Sequence, residues 1–136
     1  MQINPYLAFS GQCEEAFRFY EKLLGGKITF LTKYGESPMT EQAGPEWREK
    51  VMHVAMGIDG SILMGADALP QYFEKPQGMS VSLTVKSAEE AKRIFDGLAE
   101  NAAVQMALQK TFWSSAFGVL TDRFGTPWIV NCEEVA

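Results

Sequence analysis

The 136 residues carry 12 Lys and Arg against 17 Asp and Glu, a net charge of −5, with the acidic side chains dispersed. Counterion release at phosphates needs clustered Lys and Arg, and no such cluster occurs, so neither nucleic acid nor an anionic membrane surface is an expected partner. No stretch approaches the roughly 18 apolar residues of a membrane span, and the first residues show no basic-then-apolar leader pattern.

Cys13 and Cys132 sit at opposite ends of the sequence and form no disulfide framework, so a soluble protein of the reducing cytoplasm is expected. A hydrophobic content of 46% suits one globular domain that buries its own core without a disulfide or a metal.

Ile3–Phe9 reads as the first strand. In Cys13–Leu24 the apolar period lengthens: Ala16, Phe17, Tyr20, Leu23 and Leu24 recur at helical spacing, and Glu14 and Glu15 occupy the first turn, where the helix dipole favours them. Gly25-Gly26 ends that helix. Lys27–Tyr34 reads as a strand, and the polar Gly35–Lys50 that follows is a long connection of the kind used as a lid or left mobile. Val51–Ile58 and Ser61–Ala66 flank Asp59-Gly60, a strong hairpin signal.

Pro70, Pro76 and two glycines within Gly65–Gly78 mark a linker. Met79–Val85 is the next strand. Ser87-Ala-Glu-Glu90 is a capping box opening a helix whose buried stripe is Ala88, Ala91, Ile94, Phe95 and Leu98. Val104–Trp113, Phe117–Thr121 and Thr126–Cys132 are three further strands, the last two turning at Asp122-Arg-Phe-Gly125.

The order is therefore βαβββ, linker, βαβββ. Identity supports the duplication: Glu14-Glu15-Ala16 matches Glu89-Glu90-Ala91 at an offset of 75, and Arg18, Tyr20 and Leu23 fall on Arg93, Phe95 and Leu98. The expected fold class is α+β, with module one over about residues 1–68, a linker over about 69–77 and module two over about 78–136, the two modules forming an incomplete barrel around a central cavity.

Asn4-Pro-Tyr-Leu-Ala-Phe9 and Glu14-Glu-Ala-Phe-Arg-Phe-Tyr20, with Met52-His-Val-Ala55, Ile62-Leu-Met64, Phe112-Trp113 and Gly118–Trp128, resemble PhnB-like proteins of the glyoxalase/bleomycin-resistance (vicinal-oxygen-chelate) superfamily. The resemblance spans nearly the whole chain and specifies the fold far better than the reaction, because the superfamily hosts isomerases, dioxygenases, thiol transferases and binding-only proteins. Some members carry a ubiquinone-methyltransferase label. No strand here is followed by the glycine-rich turn that a nucleotide-like methyl donor would use.

In superfamily enzymes the first and last strands of each module supply the ligands of a divalent metal. The resemblance places those positions at Pro5, Met64, Ser80 and Ile129, with Pro5 and Ser80 related by the offset of 75. Proline and isoleucine offer no donor atom, serine is a weak ligand and a thioether suits soft ions, so no metal and no other cofactor is expected.

His53 is the only histidine. Hairpin pairing around Asp59-Gly60 sets Ala55 opposite Met64 and His53 opposite Ala66, which puts His53 on the cavity face as a polar anchor or a general base. A histidine satisfied by a neighbouring carbonyl is the bland alternative. Leu7 and Phe9 are assigned to the inward face of the first strand, and Ser80, Ser82 and Thr84 to one face of the fifth. Asn131 shares a face with Ile129, and Trp113 forms a lip.

The cavity lining is therefore read as Leu7, Phe9, His53, Met64, Ser80, Ser82, Trp113, Ile129 and Asn131. Trp128, Phe17, Tyr20 and Phe95 are read as core. Cys13, at a helix N-terminus, reads as a small hydrophobe rather than an activated thiol.

An inward lining without Arg or Lys suits a small uncharged organic ligand better than a phosphate or carboxylate. The alternative is a lyase, isomerase or transferase using His53 or a shifted metal site. Exposed sheet edges and the family resemblance both imply a homodimer.

Overall fold

The computed structural model describes residues 1–38 and 43–133, which fall into two units, Met1–Lys75 and Pro76–Ala136. In the first unit, strand β1 (Tyr6–Phe9) leads into helix α1 (Cys13–Leu24) and then β2 (Lys27–Lys33), β3 (Val51–Ile58) and β4 (Ser61–Asp67). The sheet runs β1-β4-β3-β2, with β1 parallel to β4 and the other pairs antiparallel. The second unit repeats this as β5 (Val81–Val85), helix α2 (Ala88–Leu98), β6 (Ala103–Gln109), β7 (Phe117–Thr121) and β8 (Pro127–Cys132), in the order β5-β8-β7-β6. The α+β class and the doubled βαβββ order are thus as expected, and each sheet is open rather than closed on itself.

Each helix covers one face of its own sheet. Ala16, Phe17 and Tyr20 of α1 and Ala91, Ile94, Phe95 and Leu98 of α2 are buried, and burying a side chain of the size of Phe17 stabilises by roughly 2–3 kcal/mol. A glycine admits the leading ring in both units, on a different strand each time. A methyl group at Gly65 of β4 would lie 2.8 Å from Phe17 Cε1, and one at Gly118 of β7 would lie 2.6 Å from Phe95 Cε2. Gly25 ends α1 in the left-handed conformation, with φ +72°, and the Ser87 hydroxyl accepts the Glu90 amide at 3.2 Å to open α2.

The turns match their sequences. Asp59 and Gly60 both adopt positive φ, +46° and +86°, as a tight two-residue hairpin requires. At the later turn the buried Asp122 carboxylate accepts the Phe124 and Thr126 amides through Oδ1 at 2.9 and 3.0 Å, and Trp128 Nε1–H through Oδ2 at 2.8 Å.

Asp67, at the end of β4, is also buried. Its Oδ1 accepts the Gly11 and Cys13 amides at 2.8 and 2.9 Å, and its Oδ2 accepts the Val51 amide at 2.9 Å. One carboxylate therefore ties the entry to α1 to the start of β3.

Several strand boundaries shift by a residue or two from the sequence reading, and larger differences occur at the first strand, the sixth and the connection after β2. The first strand begins at Tyr6, not Ile3, and the Pro5 carbonyl adds one ladder bond from the Met64 amide at 3.0 Å. The sixth ends at Gln109, so Trp113 lies in the turn that follows, where Thr111 and Ser114 bond each other. The connection after β2, expected to be a lid or mobile, is held at its described ends: Tyr34 and Gly35 amides donate to the Lys50 and Arg48 carbonyls at 3.0 and 2.9 Å. Tyr34, Ala43 and Leu69 form a small core there with Trp47 and Met52, and Tyr34 Oη–H donates to the Asp67 carbonyl at 2.8 Å.

Candidate functional site

The helix-covered faces are filled, so the chemistry available to a ligand lies on the opposite face of each sheet. In the first unit the register sets Tyr6 beside Met64 and Met64 beside Ala55, with Thr32 beside His53 and Phe30 beside Ala55. Neighbours in register share a face, so these residues line the face away from α1. Tyr6 Oη lies 3.0 Å from His53 Nδ1, and the Tyr6 ring stacks on the imidazole with centroids 5.6 Å apart. Phe30 approaches the same imidazole from the other side of the strand, also at 5.6 Å. His53 is half-buried between two aromatic rings that are themselves about half exposed.

Partial burial, and then the neighbouring Cys13, push the Tyr6 hydroxyl above its ordinary pKa. The phenol therefore keeps its proton near neutrality. When it donates to Nδ1 of the neutral imidazole, the ring's own proton sits on Nε2 and offers a donor outward.

Leu7 and Phe9 do not join this group. Both are buried on the helix face, Phe9 with its ring edge against Phe17 at 6.0 Å, which corrects their assignment to the same face as His53. The physical reason is the register. Phe9 pairs with Asp67 and Val85 with Cys132, so the modules correspond at an offset of 76 in the first strand of each, against 75 in the helices. The turn into α2 is one residue shorter than the turn into α1. Tyr6 rather than Pro5 therefore lies beside Met64, and Ser82 rather than Ser80 beside Ile129. Ser80 is exposed and precedes β5.

In the second unit the open face carries Ser82 and Thr84 of β5, Ile129 and Asn131 of β8, and Phe117 and Val119 of β7. Asn131 lies between Thr84 and Phe117 in register. Trp113 meets the Phe117 ring edge-on at 5.2 Å and Phe112 at 4.8 Å. The structure thus gathers Ser82, Ile129, Asn131 and Trp113 in one unit, and His53 and Met64 in the other. Sequence reasoning missed Tyr6, Phe30 and Phe117 as companions. Their signal was available for Tyr6, which alternates with Leu7 and Phe9.

The family's divalent metal does not fit these side chains. The positions where β1 meets β4 and β5 meets β8 hold a phenol, a thioether, a hydroxyl and a hydrocarbon, a poor donor set for a divalent cation. Among the described residues no group of three His, Cys, Asp or Glu is placed to hold a metal ion. Cys13 is fully buried, and burial, then Asp67 and Glu14, push its thiol far above the ordinary range, so the helix N-terminus does not activate it.

Residues 1–131 match the family described as 3-demethylubiquinone-9 3-methyltransferase. The chain belongs to this family. Protein YjdN of Escherichia coli (strain K12) is 36% identical, with 96% of this chain and 95% of that protein covered. Among solved structures, protein PA1353 from Pseudomonas aeruginosa is 45% identical with a TM-score of 0.90, covering 98% of each chain. A Bacillus cereus PhnB protein, described as a putative 3-demethylubiquinone-9 3-methyltransferase, is 28% identical with a TM-score of 0.81, covering 97% of this chain and 99% of that one.

The fold is that of the glyoxalase/bleomycin resistance/dioxygenase superfamily. A domain of that description from Frankia sp. EAN1pec shares it at 13% identity and a TM-score of 0.61, covering 98% of this chain and 95% of that one. Among the described residues no helix is long and apolar enough to cross a membrane.

Proposed function

We propose that this PhnB-like chain binds a small uncharged organic molecule on the open face of its first sheet, without the divalent metal of its superfamily. The observation that carries the reading is His53 held between the Tyr6 and Phe30 rings with its Nδ1 bonded to the Tyr6 hydroxyl. Two flat apolar surfaces flank one outward polar atom, the composition of a site that orients a planar neutral compound by a single hydrogen bond. With Nε2 as donor, the ligand offers an acceptor such as a carbonyl.

Acetophenone, an aromatic ketone, tests this directly by NMR titration of the isotope-labelled protein. We expect saturable shifts at His53 and Tyr6, and at least about fivefold weaker binding in His53→Ala, the loss of one hydrogen bond and a ring contact. Equal binding by the variant overturns the reading. So does tight stoichiometric zinc binding that His53→Ala abolishes, which favours a shifted metal site and the enzyme alternative. That alternative has its own observation: a phenol bonded to an imidazole is a proton relay, with His53 as base and Tyr6 as its orienting partner.

We infer in addition a homodimer of the cytoplasm. Strand β6 is the edge of its sheet, and Val104 and Met106 on it are exposed, leaving backbone groups and apolar surface for a second copy. Two free cysteines, both buried, fit a reducing compartment. Light scattering at micromolar concentration is expected to give twice the chain mass of 15.1 kDa, and a monomeric mass overturns the dimer.

A further inference from the structure

The open face of the second sheet carries a separate feature that the reading at His53 does not use. Asn131 Oδ1 is buried and accepts no hydrogen bond from the protein. Buried amide oxygens are nearly always paired, because leaving one unpaired forfeits the hydrogen bonds that water gave it. Its register neighbours are a hydroxyl on one side, Thr84, and an aromatic ring on the other, Phe117, with Trp113 packed edge-on against that ring. Ser82, one step along β5 on the same face, adds a second exposed hydroxyl.

Ser114 cannot serve as the missing donor. Its one hydroxyl proton is taken up between the Ala116 and Cys132 carbonyls, at 2.9 and 3.0 Å, and the residue is fully buried. Ser82, Thr84, Phe117, Val119, Ile129 and Asn131 bear no charge, so this surface provides no countercharge for an ionic group.

We propose that this face is a second ligand site, selective for a neutral aromatic compound bearing an O–H or N–H that donates to Asn131 Oδ1. The ring of the ligand lies against Phe117 and Trp113, and the Ser82 and Thr84 hydroxyls, each both donor and acceptor, complete the polar side. The site stands on the second unit alone and is independent of the proposal at His53. The two also differ in sign: His53 Nε2–H calls for an acceptor on the ligand, Asn131 Oδ1 for a donor.

Phenol and anisole separate donor recognition from ring burial, since methylation removes the O–H and keeps the ring. Titrated into the isotope-labelled full chain, phenol is expected to shift the Asn131 side-chain amide and the Trp113 indole resonances saturably, and to bind roughly fivefold more tightly than anisole. Asn131→Leu is expected to erase that preference. His53→Ala leaves it intact, which distinguishes this site from the first.

Three results overturn the proposal. Phenol and anisole binding alike in the unaltered protein is one, and needs no variant to fold. Phenol shifting only resonances of the first unit is another. A preference retained in a folded Asn131→Leu, judged by an otherwise unchanged spectrum, is the third.

Discussion

Asp67→Ala is expected to destabilise the protein by about 4 kcal/mol in urea denaturation, the largest effect of any single side-chain truncation proposed for this chain. The carboxylate is buried and receives three backbone amides, from Gly11, Cys13 and Val51. Truncation leaves all three donors without an acceptor inside the fold, each at a cost of roughly 1–3 kcal/mol, offset in part where water enters the space. Asp67→Asn keeps the volume but turns an amide N–H₂ toward backbone donors, and is expected to lose about half as much. Because those donors belong to the turn before α1 and to the start of β3, amide exchange in the variant should accelerate first at residues 11–13 and 51–54. A loss below about 1 kcal/mol would show that the three bonds are replaced by water at little cost.

Much of this architecture is legible in the sequence because it follows from period and turn chemistry. The change from alternation to helical spacing at Cys13, the Ser87 cap, the Asp59-Gly60 hairpin and the doubled order all emerge from local residue patterns. The register between Ala55 and Met64 followed from the turn alone, and is observed. The face of β1 did not follow, because a strand of four residues with two apolar side chains on one face and a tyrosine on the other reads equally well either way up. Only the pairing of Phe9 with Asp67 decides it, and that pairing depends on a one-residue difference between two turns.

The Tyr6–His53 bond joins positions 47 apart in sequence, and no local pattern signals it. The two buried aspartates illustrate the same limit. Asp67 looks like the polar end of a strand, and Asp122 like an ordinary turn residue, until their amide partners are known.

Asp122→Ala is expected to cost about 3 kcal/mol by the same measurement, and here the cause can be divided between turn and core. Oδ1 closes the turn through the Phe124 and Thr126 amides, while Oδ2 holds the indole N–H of Trp128, a fully buried residue. Trp128→Phe removes the indole donor, leaves the buried Asp122 Oδ2 without that bond, and costs about 2–3 kcal/mol in lost packing and lost hydrogen bonding. If the indole bond carries a substantial share of the effect, the double variant loses about 1 kcal/mol less than the sum of the two singles, since the orphaned N–H no longer exists in it.

Strict additivity would instead assign the whole effect of Asp122 to the turn. The distinction bears on function because β8 begins immediately after this turn and carries both Ile129 and Asn131 on its open face. A carboxylate that anchored only the turn would set where β8 starts. One that also fixes Trp128 on the buried face sets which way the strand is rolled, and so holds the Asn131 amide on the open face.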